Sequence, residues 1–178
     1  MILPTHNIAI QKAWIVNNLE ETAEKWSQML SIGPFYIAEY SPAVFGKIEY
    51  RGKPGKLHMK TAIAYAGDIQ IELVEPVGVY PCAYFDTIEA GSTGFHHLCY
   101  WTEDIDADLN HYQEKGCSVA NLGQMAGNGP RFAYLDANDS LGCMIELLER
   151  AEGTEAIFNG WKESAKNWRP GDAAIIKL

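Results

Sequence analysis

Apolar positions along this chain switch between strand-like runs and helix-like spacing, and they do so twice. Residues 11–19, QKAWIVNNL, and 97–105, HLCYWTEDI, are short runs rich in apolar and aromatic side chains, which suits strands. Each run leads into a helix start. The NLEE stretch from Asn18 to Glu21 is a capping-box pattern, and Asp104 is placed to cap a second helix. Behind Asn18, the positions Leu19, Ala23, Trp26, Met29 and Leu30 recur at three- and four-residue spacing. Behind Asp104, Ile105, Ala107, Leu109 and Tyr112 form a weaker stripe of the same kind. Gly33 and Gly116 follow the expected helix ends, where a left-handed residue is needed.

The second occurrence is a repeat of the first. GDIQIELVEP (67–76) and LGCMIELLER (141–150) share the core Ile-Glu-Leu, an apolar residue, then Glu. Each half therefore reads strand, helix, then two or three strands with an Ile-Glu-Leu strand last. The bounds are 8–76 for the first half and 93–150 for the second. Turn-rich hairpin sequence fills the middle of each half: VFGKIEYRGKPGKLHMKTAIAYAG in the first, and GNGP (127–130) before RFAYLDAND in the second. Residues 77–92, with Pro81 and Gly91, read as a connector. The tail, 151–178, holds Phe158, Trp161 and Trp168 and reads as a helix followed by an extended end. The whole is one α+β domain.

Composition narrows the function classes. The chain has 178 residues, 47% hydrophobic and 21% charged, enough for a sizeable core. Its net charge of −9 argues against a nucleic-acid partner, because phosphate binding needs a surplus of Lys and Arg. No apolar run approaches a membrane span, and the N-terminal MILPTHNIAIQKAW has no signal-peptide pattern. Cys82, Cys99, Cys117 and Cys143 are scattered and fit reduced thiols of a cytoplasmic protein.

The candidate chemistry lies at positions equivalent between the halves. Gln11 opens the first strand eight residues before Leu19, and His97 lies eight residues before Ile105. Glu72 and Glu146 match in the closing strands. Side chains alternate faces along a strand, so Gln70, Glu72 and Val74 share one face, as do Met144, Glu146 and Leu148. Two carboxylates facing one interior would repel, and burying either is costly unless it is paired or bound to a metal. Gln11, Glu72, His97 and Glu146 are therefore expected to hold one divalent cation. Zn²⁺, Ni²⁺, Co²⁺, Mn²⁺ and Mg²⁺ all suit such donors. His96, next to it on the strand, is expected to face the opposite way and either to pack or to support the ligands from behind, and His6 belongs to the tail. Lys47, Arg51, Lys53, Lys56 and Lys60 crowd residues 47–60 against a single glutamate, a positive patch suited to an anionic substrate group. Arg131 and Phe35 are further candidates to line a substrate pocket.

The strand–helix opening, GFHHLCYWTEDIDA, RFAYLD and MIELLE together resemble the vicinal oxygen chelate superfamily, which includes glyoxalase I, methylmalonyl-CoA epimerase, extradiol dioxygenases and fosfomycin resistance proteins. The resemblance covers residues 8–150. It implies two βαβββ modules forming one cupped mixed sheet around the metal, and pairing of subunits into a homodimer. It also implies a small-molecule substrate that chelates the ion through two vicinal oxygens, with the metal as Lewis acid. The four ligand slots fall on Gln11, Glu72, His97 and Glu146, a set similar to animal-type glyoxalase I, whereas the epimerases have His first and Gln second. Gln11 thus argues against dioxygenase and fosfomycin chemistry, and a complete set argues against a metal-free binding protein. The expected activity is isomerisation or epimerisation by proton transfer beside a chelated carbonyl, on a CoA thioester or a small catabolic intermediate. The alternative is a lactoylglutathione lyase reaction. Glu146 is the first candidate base and Glu72 the second. Glu49 is a further candidate by similarity to the epimerases.

Overall fold

The computed structural model describes residues 8–178, so the tail position expected for His6 lies outside the described residues. The first half contributes β1 (Gln11–Ile15), α1 (Leu19–Leu30), β2 (Phe35–Tyr40), β3 (Phe45–Tyr50), β4 (Lys53–Pro54), β5 (Met59–Ala66) and β6 (Ile69–Pro76). A short helix α2 (Ala83–Thr87) lies in the connecting stretch. The second half contributes β7 (Gly94–Thr102), α3 (Ile105–Glu114), β8 (Ser118–Met125), β9 (Arg131–Asp136), α4 (Asn138–Leu141) and β10 (Met144–Glu149). The tail forms α5 (Glu152–Asn167) and β11 (Ile175–Lys177). This is a mixed α+β fold.

One sheet runs through the molecule in the order β11-β2-β5-β6-β1-β7-β10-β9-β8-β3-β4. Its centre carries the repeat. β1 pairs with β6 in parallel, Gln11 opposite Gln70, and β7 pairs with β10 in parallel, His97 opposite Met144. Glu72 and Glu146 each sit two residues further along, on the same face as those partners. Between β1 and β7 the pairing is antiparallel: Gln11 faces Cys99 and Ala13 faces His97, with Lys12 opposite Leu98 between them. That register is what a two-fold axis through the Lys12–Leu98 pair generates. It makes Gln11 and His97 equivalent in three dimensions, as they are in sequence.

The helix starts form as their caps dictate. The Asn18 side chain accepts the Glu21 backbone N–H at 3.3 Å, and Asp104 accepts that of Ala107 at 3.0 Å. Leu19 and Ala23 of α1 and Ile105 and Leu109 of α3 bury against the outer face of the sheet. The left-handed residue after α1 is Ser31 (φ 55), and Gly33 keeps a negative φ. Gly33 is instead required by close packing: a Cβ there would sit 2.7 Å from the Trp168 ring. Gly116, with φ 93, does take the left-handed conformation after α3.

Two segments depart from the expected layout. The β3–β4 hairpin, although encoded in the first half, leaves it and pairs with β8 on the far edge of the sheet. The tail returns to the opposite edge, where β11 pairs in parallel with β2. Residues from both arms of the sheet, such as Met59 and Val74 on one and Phe132, Tyr134 and Met144 on the other, meet in a single apolar cluster. The sheet is therefore cupped, and its concave face encloses the equivalent positions of the two halves.

Candidate metal centre and active site

Gln11, Glu72, His97 and Glu146 converge on the concave face. The His97 Nε2 lies 3.0 Å from Glu146 Oε2, 3.4 Å from Glu72 Oε2 and 3.3 Å from Gln11 Oε1. Ligand atoms of Glu72, His97 and Glu146 all fall within 4.8 Å of one another. The residues are 4%, 8%, 0% and 9% exposed in chain order, so water screens the group poorly.

The orientations of Gln11 and His97 are set by partners behind them. The Gln11 amide donates through Nε2 to Gln70 Oε1 at 3.0 Å, and Gln70 donates through its own Nε2 to the Tyr65 hydroxyl at 2.8 Å. That chain turns Gln11 Oε1 toward the centre. A second chain orients His97. The His96 Nε2 lies 3.1 Å from the Ala83 carbonyl oxygen, which can only accept, so this nitrogen carries the proton. Burial and the adjacent His97 push the His96 ring down to about 3, keeping it neutral. Its Nδ1 is then a lone pair and accepts from His97 Nδ1–H at 2.8 Å. The remaining His97 nitrogen, Nε2, faces the three oxygens.

When Nε2 is unprotonated, four lone-pair donors point at one spot with no hydrogen between them. This donor set fits a divalent cation, with imidazole and oxygen ligands and coordination positions left for substrate. A proton answers the same electrostatic demand. Burial alone would push the His97 ring down, but the Glu146 and Glu72 carboxylates outweigh it and raise it to about 9. Burial pushes the Glu72 carboxyl up, and the nearby Glu146 adds to that while His97 opposes it. The Cys99 thiol, buried beside Glu146, is held well above its ordinary value and stays protonated.

His96 does not face away as strict alternation requires. Opposite the Ala13–Trp14 step the register moves from His97 to Phe95, leaving His96 as the extra residue of a β-bulge. The bulge brings its ring edge-on to His97, with centroids 5.1 Å apart, and packs it against Tyr84 and Tyr134.

A cavity of about 690 Å³ opens above the four residues. Gln11, Glu72 and Glu146 form its floor, and beside the two glutamates its ionisable lining side chains are Tyr40, Tyr84 and Tyr134. Burial, together with the charges of Glu72 and Glu146, raises the Tyr40 hydroxyl above its ordinary value. No lysine, arginine or aspartate lines the cavity among the described residues. The three candidate substrate contacts lie elsewhere. Phe35 is fully buried in the core beneath α1. Arg51 is engaged by Asp86 at 2.8 Å and Asp136 at 3.0 Å, and Arg131 by Glu149 and Asp106, both at 2.9 Å. Glu49 pairs with Lys47 at 2.6 Å on the far-edge hairpin, outside the lining. In the positive patch, Lys47 and Arg51 pair with carboxylates and Lys56 lies over the Tyr80 ring, and none of its five cations lines the cavity. Gln70 and Tyr65, which aim Gln11, were signalled only by Gln70 sharing a face with Glu72. Tyr84 and the tail residues of the cavity had no signal in the pattern.

Residues 10–134 match the model of the Glyoxalase/Bleomycin resistance protein/Dioxygenase superfamily. The chain belongs to this superfamily. An ethylmalonyl-CoA/methylmalonyl-CoA epimerase of Cereibacter sphaeroides is 37% identical over 82 residues, a stretch covering 44% of this chain and 60% of that relative. The methylmalonyl-CoA epimerase of Mycobacterium tuberculosis superposes with a TM-score of 0.60 at 17% identity, covering 88% of this chain and 96% of that one. A variant of the Streptomyces coelicolor methylmalonyl-CoA epimerase in complex with 2-nitronate-propionyl-CoA superposes with a TM-score of 0.58 at 20% identity, covering 84% and 99%. These structural likenesses establish the shared fold.

Proposed function

We propose that this protein is a divalent-metal-dependent enzyme of the cytoplasm that moves a proton on the carbon beside a chelated carbonyl, acting as an epimerase or isomerase of an acyl thioester. The observation that carries this reading is the convergence of Gln11, Glu72, Glu146 and the His97 Nε2 at the floor of a largely apolar cavity. The curated relative, an epimerase of CoA thioesters, supports the thioester class. Four free thiols suit a reducing compartment.

The four side chains would hold the ion, and the ion would supply Lewis-acid polarisation of the substrate oxygen. The protein's own groups do the rest. Glu146 Oε2 is the base that takes the proton. Glu72, the second carboxyl beside His97 Nε2, is the group that would return one. Two carboxyls flanking one imidazole therefore suit inversion at carbon. Tyr40 and Tyr134, both held protonated, are hydroxyl donors beside the floor, and the apolar walls exclude water from the exchange.

A lactoylglutathione lyase reaction is the second reading, favoured by glutamine rather than histidine at position 11. Elemental analysis of purified protein should find one divalent ion per chain, with at least a tenfold loss of retained metal in Glu146→Gln. Incorporation of deuterium at the α-carbon of methylmalonyl-CoA, against turnover of a glutathione hemithioacetal, separates the two reactions. A protein that neither retains metal nor responds to added metal would overturn both.

A further inference from the structure

The tail had no assigned role, yet it supplies one side of the cavity. Thr154, Ile157, Phe158 and Trp161 of α5, with the terminal Leu178 after β11, line the space above the metal centre. Its walls include Phe45, Met59, Ile63, Phe132 and Leu148, with the hydroxyls of Thr61 and the three tyrosines nearer the floor as the polar side chains among them. The roof lies beyond residue 134, where the match to the superfamily model ends.

The roof is built rather than draped. The Trp161 ring stacks on Tyr36 of β2 at 4.9 Å and 14°, which ties it to the first half. Phe158 packs against Trp101 of β7 at 5.6 Å, which ties it to the second. Arg150 lies over the Trp101 ring and bonds Glu155 at 2.7 Å, fixing the start of α5. Lys162 reaches Asp68 at 2.8 Å, and the Leu178 backbone N–H donates to the Ile37 carbonyl at 3.0 Å. At the rim, Ile157 remains 53% exposed and Leu178 70% exposed. Apolar side chains are thus held at the mouth of the cavity as well as along its walls.

Size and chemistry then restrict what fills the space. About 690 Å³ falls in the range of drug-sized pockets, about 300–1,000 Å³. A methyl or ethyl side chain would leave most of it as water against aromatic and aliphatic walls. A polar or ionic extension would find no lysine or arginine to meet it. We propose that the roof selects a substrate whose chelating head carries a bulky apolar group, an aromatic or alicyclic ring, in preference to a one- or two-carbon substituent. This rests on the proposed metal chemistry for the position of the head, and on the roof alone for the ring.

Binding tests the roof without requiring turnover. Hydroxamates present two vicinal oxygens to a bound ion and differ only in their tails. Calorimetric titration of the Mn²⁺-loaded protein should show 3-phenylpropanohydroxamate binding more than about tenfold tighter than acetohydroxamate, as expected for apolar groups entering an apolar pocket. Phe158→Ala should reduce that ratio at least threefold. Ile157→Ala, at a position 53% exposed, should reduce it in the same direction. Equal affinity for the two probes, or a ratio unchanged in both variants, overturns the inference. Deuterium exchange into thioesters bearing methyl or benzyl α-substituents separates the failures. Ring-selective binding without any exchange defeats the proposed reaction and leaves the roof's role intact. Exchange that favours methyl over benzyl supports the reaction and defeats the inference.

Discussion

His96 shows how one residue can govern a centre it does not enter. Its proton sits on Nε2 because the Ala83 carbonyl can only accept, and this fixes which His97 nitrogen faces Glu72 and Glu146. Replacing the partner behind a ligating histidine costs about 10–100-fold in metal affinity. Competitive metal titration of His96→Ala should show a loss in that range, and His96→Asn, which keeps an acceptor, should recover part of it. Unchanged affinity in His96→Ala would remove the positioning role. The His97 ring also sets a pH dependence. Burial opposes its protonation, but Glu146 and Glu72 raise it to about 9, above its unfolded value near 6.5. A raised value means that stability is fully present below the unfolded value and is lost as pH rises through the folded one. Glu72, raised by burial, acts with the same sign. Metal-free protein should therefore melt at lower temperature at pH 9.5 than at pH 6.5. Metal must displace the His97 proton, so Mn²⁺ affinity should climb about tenfold per pH unit between pH 6.5 and 8.5. A flat affinity profile would mean that Nε2 carries no proton to lose.

At the scale of elements, the clearest sequence signals were those with a period or a cap. The Asn18 and Asp104 caps and the two Ile-Glu-Leu strands were legible because local chemistry alone dictates them. The destination of β3–β4 was not, because nothing local distinguishes a hairpin that closes its own half from one that crosses to the edge of the other. Arg51 and Arg131 looked available for the same reason: Asp86, Asp136 and Glu149 come near only through tertiary folding. The bulge at His96 and the aromatic seat of α5 were likewise invisible to periodicity. Gly33 illustrates the difference. Its place after a helix suggested a left-handed cap, whereas the structure needs it because Trp168 lies where a Cβ would be. Gly33→Ala should therefore destabilise by about 1–3 kcal/mol through overpacking. A melt combined with proteolysis should show the tail released first. A neutral effect would mean that Trp168 moves freely and the tail is not seated there.

For the whole molecule, the decisive relation is between the two halves. Gln11 and Glu72 come from one, and His97 and Glu146 from the other, joined across the β1–β7 pair about an axis at Lys12 and Leu98. An ion held there binds only when both halves are folded and in register, so its binding energy stabilises the whole cup. At a free concentration one hundred times its Kd, an ion that binds only the folded state adds about 2.7 kcal/mol. For a chain of this size that corresponds to a rise of about 5–10 °C in Tm. Glu72→Gln and Glu146→Gln preserve side-chain volume and hydrogen-bonding capacity while removing the charge. Because the two carboxylates are related by the axis and lie at comparable distances from His97 Nε2, each variant should lose most of that rise, and the two losses should be similar. Melting curves of both variants and the parent, with and without Mn²⁺, measure this directly. If one variant kept the full rise while the other lost it, the ion would be held by one half alone, and the symmetry of the fold would not extend to its centre.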